Sequence, residues 1–336
     1  MKRTLHCMVI VIVWIGMHPF LHAQTADDAA RLSPIELEAH WASRNLQPWR
    51  DWLSTLNSTR AQQPDALLVR ARLARADGQV DQATDLVEQG LAITPDSSPL
   101  YSRLVFERAT YKLDGLNDAG MFSSLRIARS VRDDFEQAHA TDPNFVRAQL
   151  GLLQFHASAP AIAGGRDARA EAMRTLLQST APHQLTVFEA AQQLEQDQAQ
   201  AALELIESLP ADVTFDDPYW ILIMSTVLQD QGRFEQASQL IEESLVRFPR
   251  HAGLWYQRGR IAAESNQDPG RGLEAMLQYL ELPHWPGDPE LAAAWWRIGQ
   301  LQLALGRDEG AREALEYALT RDPEFEPAKT LLEQLN

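Results

Sequence analysis

The chain has 336 residues, of which 45% are hydrophobic and 23% are charged, and its formal net charge at pH 7 is −16. This composition is typical of a folded globular protein, and the negative charge argues against a surface that binds nucleic-acid phosphates. The single cysteine, Cys7, lies in the N-terminal apolar segment. The rest of the chain therefore has no thiol for a disulfide, a metal site or nucleophilic catalysis.

The N-terminus has the features of a secretory signal peptide, which we assign to residues 1–23. Two basic residues precede a short apolar run, and a polar, acidic stretch begins after Ala23. The apolar run is shorter than the ~20 residues that span a bilayer. We therefore expect cleavage after Ala23, a periplasmic or secreted protein, a flexible tail at 24–32 and no membrane span after cleavage. Because Leu21 is large for its place before the cleavage site, an uncleaved N-terminal anchor is the alternative.

The remaining chain contains a repeated spacing of small residues, glycine and proline. Three segments share intervals of seven, five, seven and five residues. They are Ala71, Gly78, Ala83, Gly90 and Pro95; Ser225, Gly232, Ala237, Ser244 and Pro249; and Gly299, Gly306, Ala311, Ala318 and Pro323. Glycine allows a tight turn between two helices, small residues let the helices approach closely, and proline ends the second helix. Apolar residues three and four positions apart between these landmarks favour helices that bury one face.

The spacing predicts a series of helix pairs along the chain. In chain order they lie at 34–58, 64–97, 98–143, 144–182, 183–211, 218–251, 252–284 and 290–323, followed by a capping helix at 326–335. A single pair cannot bury both of its faces, so neighbouring pairs must stack. The sequence therefore predicts an all-α fold, a solenoid with N-terminal repeats at 33–211 and C-terminal repeats at 218–336. A softer joint is expected at 211–217, and no length is left for a separate catalytic domain.

The last predicted pair carries the most specific pattern, formed by Trp295, Ile298, Gly299, Gly306, Ala311, Leu315, Ala318, Leu319, Asp322 and Pro323. This pattern resembles the tetratricopeptide repeat (TPR), whose period is about 34 residues. The pairs at 64–97 and 218–251 resemble the same repeat without its tryptophan. The resemblance implies a right-handed superhelix of antiparallel helix pairs, with a concave groove that is lined by the first helix of each pair and binds a protein or peptide.

The family's groove positions imply a set of arginine, aromatic and polar residues that contact the partner. The candidates are Arg72, Arg75, Phe155, His156, Tyr219, Gln229, Tyr256, Arg260, Trp296 and Gln300. Guanidinium groups suit carboxylates and carbonyl oxygens, and aromatic rings provide apolar anchors. Trp255 and Trp295 are instead expected in the core between the two helices of a pair.

One insertion departs from the repeat. Between Gly151 and Gly165 the spacing is seven residues longer than the repeat requires, and the extra residues, 157–164, are small and mostly apolar. This segment resembles the "AP...AGG" insertion of exported bacterial TPR proteins. Because long loops on regular scaffolds often carry function, the insertion and the adjacent His156 form an alternative candidate site.

Motifs of catalysis are missing from the sequence. It contains no Gly-x-Ser-x-Gly elbow, no His-Glu-x-x-His helix and no phosphate-binding loop, and its histidines do not pair at metal-ligand spacing. We therefore expect no enzyme activity, no cofactor and no metal.

The preferred hypothesis is an exported scaffold or adaptor for a partner protein or peptide, in envelope assembly, secretion or cytochrome maturation. The alternatives are a small-molecule receptor or enzyme accessory that uses the insertion, and a self-associating structural protein. The sequence predicts no oligomeric state.

Overall fold

A computed structural model describes residues 44–114, 120–284 and 287–335. These residues form α-helices and two short 3-10 helices, and they contain no β-strand. The prediction of an all-α fold is therefore confirmed. The helices gather into two compact units, unit 1 ending at Thr186 and unit 2 beginning at Val187. The expected signal peptide, the tail and the start of the pair at 34–58 lie outside the described residues.

Unit 1 contains seven complete helices and the start of an eighth. They are α1 Gln47–Thr55, α2 Pro64–Ala76, α3 Val80–Ile93, α4 Pro99–Asp114, α5 Met121–Thr141, α6 Val146–Ser158, α7 Asp167–Thr180 and α8 Pro182–Glu195, which crosses into unit 2. Helices α2 and α3, α4 and α5, and α6 and α7 pack as pairs. Each pair falls within one of the ranges that the spacing predicts.

Unit 2 continues with the same arrangement. Its helices are α9 Ala199–Glu207, α10 Pro218–Asp230, α11 Phe234–Arg247, α12 Ala252–Ser265, α13 Pro269–Glu281, α14 Leu291–Ala304, α15 Asp308–Arg321 and α16 Glu326–Glu333. The pairs are α10 with α11, α12 with α13, and α14 with α15, and α16 packs on α15 as the expected capping helix. None of the described helices combines the length and apolar composition that a membrane span needs.

The turn between the two helices of a pair has a left-handed residue. Gly78, Gly232 and Gly306 have φ angles of 76°, 66° and 71°, which glycine adopts without steric cost. Asn266 takes the equivalent place between α12 and α13, and Asp197 lies in the short turn between α8 and α9, with φ angles of 55° and 58°. Asp and Asn tolerate this conformation better than other side chains. The turns explain the glycine spacing in the sequence.

The first helices of unit 2 lie on the inner side of its curvature. Helix α12 contacts both α10 and α14 directly, whereas the second helices α11, α13 and α15 make no contacts of similar extent among themselves. In a curved stack, the members on the inside approach each other most closely. The first helices therefore form the concave side of unit 2.

The insertion forms a fixed loop against α5. Its 3-10 helix Ala161–Ala163 packs through the buried Ala163 on Phe155 and Ala128. Arg129 Nη2 donates a hydrogen bond of 2.7 Å to the carbonyl oxygen of Ile162. A Cβ atom at Gly165 would overlap the carbonyl oxygen of Ala159, so this position requires glycine. The glycines of the insertion thus serve a tight chain reversal.

Candidate functional site

Polar side chains connect the first helices of unit 2 on their concave side. Gln229 Nε2 on α10 donates a hydrogen bond of 2.9 Å to Gln257 Oε1 on α12. Gln257 Nε2 in turn donates to Thr226 Oγ1 on α10 at 3.1 Å. These amide groups lie between consecutive repeats and hold the two first helices in register.

A second group of contacts joins α12 to α14 through one carboxylate. Glu264 Oε1 accepts hydrogen bonds from Arg260 Nε at 2.9 Å and from Arg297 Nη2 at 2.6 Å. Arg297 Nη1 also donates to Gln300 Oε1 at 3.0 Å. Two guanidinium groups thus share one carboxylate, which leaves one positive charge uncompensated within the group. Arg260 and Gln300 are partly exposed, whereas Arg297 is buried.

Together these side chains form what we call the inner strip of unit 2. Its members are Thr226, Gln229, Gln257, Arg260, Glu264, Arg297 and Gln300. The strip presents the partly exposed amide of Gln300 and an excess of cationic donors on the concave side. Amides can pair with a peptide backbone, and guanidinium groups bind carboxylates and carbonyl oxygens.

Aromatic side chains lie at both ends of the strip. Tyr219 is half-buried at the start of α10, with its ring centroid 4.9 Å from that of Trp220. Burial raises the pKa of the Tyr219 hydroxyl well above its usual value, and the nearby carboxylates of Asp217 and Glu195 act in the same direction. At the other end, Trp296 is half-buried, and its ring centroid is 5.9 Å from that of Phe325.

The candidates from the sequence divide by burial. Arg72, Arg75, Phe155, His156, Gln229 and Tyr256 are buried, whereas Tyr219, Arg260, Trp296 and Gln300 are partly exposed. All four partly exposed candidates belong to unit 2. Of the ten candidates, only these four have exposed side-chain surface that a macromolecular partner can contact.

Two arginine candidates of unit 1 are engaged within the chain. Arg72 Nε donates to Glu107 Oε1 at 2.7 Å, and Arg75 Nη2 donates to Asp114 Oδ1 at 2.8 Å. Arg75 Nη1 also donates to Thr110 Oγ1 at 3.2 Å. These bonds join the first helix α2 to the first helix α4. Both arginines therefore connect consecutive repeats of unit 1, much as Arg297 does in unit 2.

His156 lies at a cleft of about 360 Å³ between α5, α6 and α7. The lining residues are Glu136, His139, Leu152, His156, Arg169, Ala172 and Met173. Arg169 Nη1 donates to Glu136 Oε1 at 2.6 Å, and His156 Nε2 is 4.0 Å from the same oxygen.

The two imidazoles of this cleft differ in exposure, since His156 is buried and His139 is partly exposed. Burial lowers the pKa of His156 and of His139, while Glu136 and Asp142 respectively act in the opposite direction. The Nδ1 atoms of both rings are buried and have no hydrogen-bond partner among the described residues. Within the described part of the chain, no three His, Cys, Asp or Glu side chains are arranged to hold a metal ion.

A family model of the tetratricopeptide repeat matches residues 224–289 and 262–324. The segment 224–324 is thus similar to tetratricopeptide repeats, and we call it the TPR segment. The resemblance of the last pairs to this family is thereby confirmed, and the TPR segment contains the whole inner strip. TPR arrays are typically protein-interaction modules that bind along their concave surface. No curated protein matches the sequence.

Solved structures show a similar helical-repeat fold. The APC/C heterotetramer Cut9–Hcn1 is similar over 93% of this chain and 67% of that chain, with 17% identity and a TM-score of 0.50. PilW, a type IV pilus biogenesis factor, is similar over 69% of this chain and 98% of its own, with 17% identity and a TM-score of 0.48. The human IFIT1 dimer with PPP-AAAA is similar over 88% and 77%, with 14% identity and a TM-score of 0.42. The similarity to Cut9–Hcn1 supports the helical-repeat fold, and it carries no conclusion about function.

Several members of the inner strip were not among the sequence candidates, namely Gln257, Glu264 and Arg297. A signal for them does exist in the sequence. Arg297 follows Glu264 by 33 residues, which is close to the repeat period, so opposite charges recur at nearby places of consecutive first helices in the TPR segment. A search for complementary polar residues one period apart would have found this pair.

Proposed function

We propose that the chain is an exported, non-catalytic scaffold that binds a partner protein or peptide on the concave side of unit 2. The observation that carries this proposal is the shared carboxylate of Glu264, which accepts from both Arg260 and Arg297 on the inner side of the TPR segment. The signal-peptide pattern of residues 1–23 supports export. Envelope assembly, secretion and cytochrome maturation are processes in which such a scaffold would serve.

The chemistry of the strip favours an extended segment with acidic groups. The uncompensated guanidinium charge attracts a carboxylate, which can share Arg260 with Glu264. The side chain of Gln300 offers hydrogen bonds to a peptide backbone, and Trp296 offers an apolar contact. Binding energy in such interfaces is concentrated in a few aromatic and arginine residues. The net charge of −16 favours a protein over a nucleic acid as the partner.

We expect Arg260→Ala to weaken binding of the partner about tenfold, because it removes the partly exposed guanidinium of the strip. To identify the partner, a photo-crosslinking residue is placed at Gln300 in cells that export the chain. The captured partner is then purified, and its affinity is measured by calorimetry for wild type and for Arg260→Ala.

The matched control is Arg271, an exposed arginine on the second helix α13. Arg271→Ala should leave the affinity unchanged, and a crosslinker at position 271 should not capture the same protein. If position 271 captures it as efficiently as position 300, or if both alanine variants lose affinity equally, the concave side of unit 2 is not the binding surface.

A second candidate function is binding of a small organic ligand in the cleft at His156. The cleft of about 360 Å³ favours it, because two imidazole side chains, those of His156 and His139, line it. Arg169 at the cleft provides a cationic group, and Leu152 and Met173 provide apolar surface.

This second function predicts that a compound from a panel of small apolar carboxylic acids raises the melting temperature of the wild-type chain by several degrees. Arg169→Gln should abolish the shift, whereas Arg174→Gln, a change on the same helix outside the cleft, should preserve it. No shift with any compound, or a shift that survives Arg169→Gln, would count against a ligand in this cleft.

A further inference from the structure

Three large apolar side chains protrude from one edge of unit 1. Phe122 and Met121 at the start of α5 are 83% and 67% exposed, and Ile162 on the insertion loop is 65% exposed. We call these three residues the apolar knob. Folded monomers rarely expose large apolar side chains together unless the surface is used for interaction.

The members of the knob come from two segments that are packed together. Leu125 on α5 packs with Phe155 and Ala163 beside the insertion loop, and Arg129 on α5 donates its hydrogen bond to the carbonyl of Ile162. Phe122 lies one helical turn before Leu125 and two turns before Arg129, on the same face of α5. The loop and the start of α5 therefore present their exposed apolar groups at one edge.

Arginines flank this knob in a chain that is otherwise acidic. Arg126 and Arg129 lie on the same face of α5 as Phe122, and Arg166 follows the insertion loop; all three are exposed. Among the described residues, Arg126 and Arg166 form no ion pair, and Arg129 donates only to a neutral carbonyl. Asp167, next to Arg166, offsets one charge, so that a basic surplus remains.

We propose that the apolar knob and its three arginines form a peripheral docking surface for an anionic lipid bilayer. Phe and Ile side chains enter the boundary between headgroups and acyl chains, while guanidinium groups bind lipid phosphates. The net charge of −16 repels the rest of the chain from an anionic surface, so this edge is the one that faces the lipid. A protruding knob needs no complementary cavity in a bilayer, whereas a protein partner would have to provide one.

The proposal is tested with the chain from Gln24 onward, the form expected after cleavage, which has no cysteine and in which Ser123→Cys carries an environment-sensitive fluorophore. Adding vesicles that contain phosphatidylglycerol should shift the emission to the blue, and vesicles of phosphatidylcholine alone should produce a much smaller change. The same fluorophore at Gln236→Cys, an exposed position on α11, should not respond.

Variants then separate the two parts of the surface. The double variant Arg126→Gln, Arg166→Gln should weaken vesicle binding roughly 20- to 30-fold, and Arg233→Gln, Arg307→Gln, a pair of exposed arginines in unit 2, should not. Phe122→Ser should weaken it about tenfold, and Val246→Ser, at a side chain that is 84% exposed on α11, should have no effect.

An equal response at positions 123 and 236, or binding that is insensitive to both pairs of variants, overturns the proposal. A response at position 123 to an acidic protein without any response to vesicles also overturns it, in favour of a protein interface. These outcomes are independent of Arg260 and Gln300, because the knob lies in unit 1.

Discussion

Replacing Arg72 with methionine is expected to lower the free energy of unfolding by about 3–5 kcal/mol. The side chains of Arg72 and Glu107 are only 1% and 4% exposed, and their ion pair joins α2 to α4. The ring of Trp49 lies 5.8 Å from the guanidinium carbon and covers it. Methionine fills much of the volume but leaves the Glu107 carboxylate buried without its cation. The loss is measured by urea unfolding, followed by far-UV circular dichroism.

An exposed ion pair of the same unit provides the control. Arg50 and Asp77 form an ion pair at 2.8 Å in which both side chains are 45% exposed, so Arg50→Met should cost less than ~1 kcal/mol. The double variant Arg72→Met, Glu107→Leu should recover most of the lost stability, because it removes both buried charges. Similar losses for Arg72→Met and Arg50→Met would mean that water reaches Glu107, and Arg72 would again be a plausible partner-binding residue.

Phe155→Ala is expected to cost about 3–5 kcal/mol, since it opens a cavity where α5, α6 and the insertion loop meet. Phe155 is fully buried and packs on Ala128 and Ala163. The variant should also release the loop, which is seen as faster amide hydrogen exchange at residues 159–165. Stability is measured by urea unfolding and loop protection by exchange mass spectrometry.

Phe122→Ala is the matched control, because it removes the same side chain from an exposed place in the same unit. Its effect on stability should stay within ~0.5 kcal/mol. If Phe155→Ala leaves stability and loop protection unchanged, Phe155 is not part of the core, and its role as a partner contact regains support.

Arg72 and Phe155 show why some of the binding-surface candidates from the sequence are buried while others are partly exposed. The family positions point to the inner side of the first helices, but consecutive first helices also contact each other there. A long side chain at such a position pairs with the next helix when that helix offers a complementary group, as Glu107 does for Arg72. Where the partner group is shared, as at Glu264, a partly exposed cation such as Arg260 remains for a ligand.

The sequence predicted the insertion more completely than it predicted the binding-surface residues. The excess spacing between Gly151 and Gly165 and the small, mostly apolar residues there indicated an inserted loop beside His156. The structure has such a loop, with Gly164 at a φ angle of 109° and Gly165 against the carbonyl of Ala159. Its attachment to α5 through Arg129 and the exposure of Ile162 could not be predicted, because these depend on a helix about 30 residues earlier in the chain.

The sequence by itself determined the all-α fold, the positions of the helix pairs and the TPR character of the segment 224–324. These properties follow from local requirements: a left-handed turn residue, small residues at helix crossings and an apolar face within each helix. Only the tertiary structure decided which polar side chains are engaged. Arg72 meets Glu107 from 35 residues away and Arg297 meets Glu264 from 33, so whether an arginine stabilises the stack or faces a partner depends on the side chain that the next repeat brings to it.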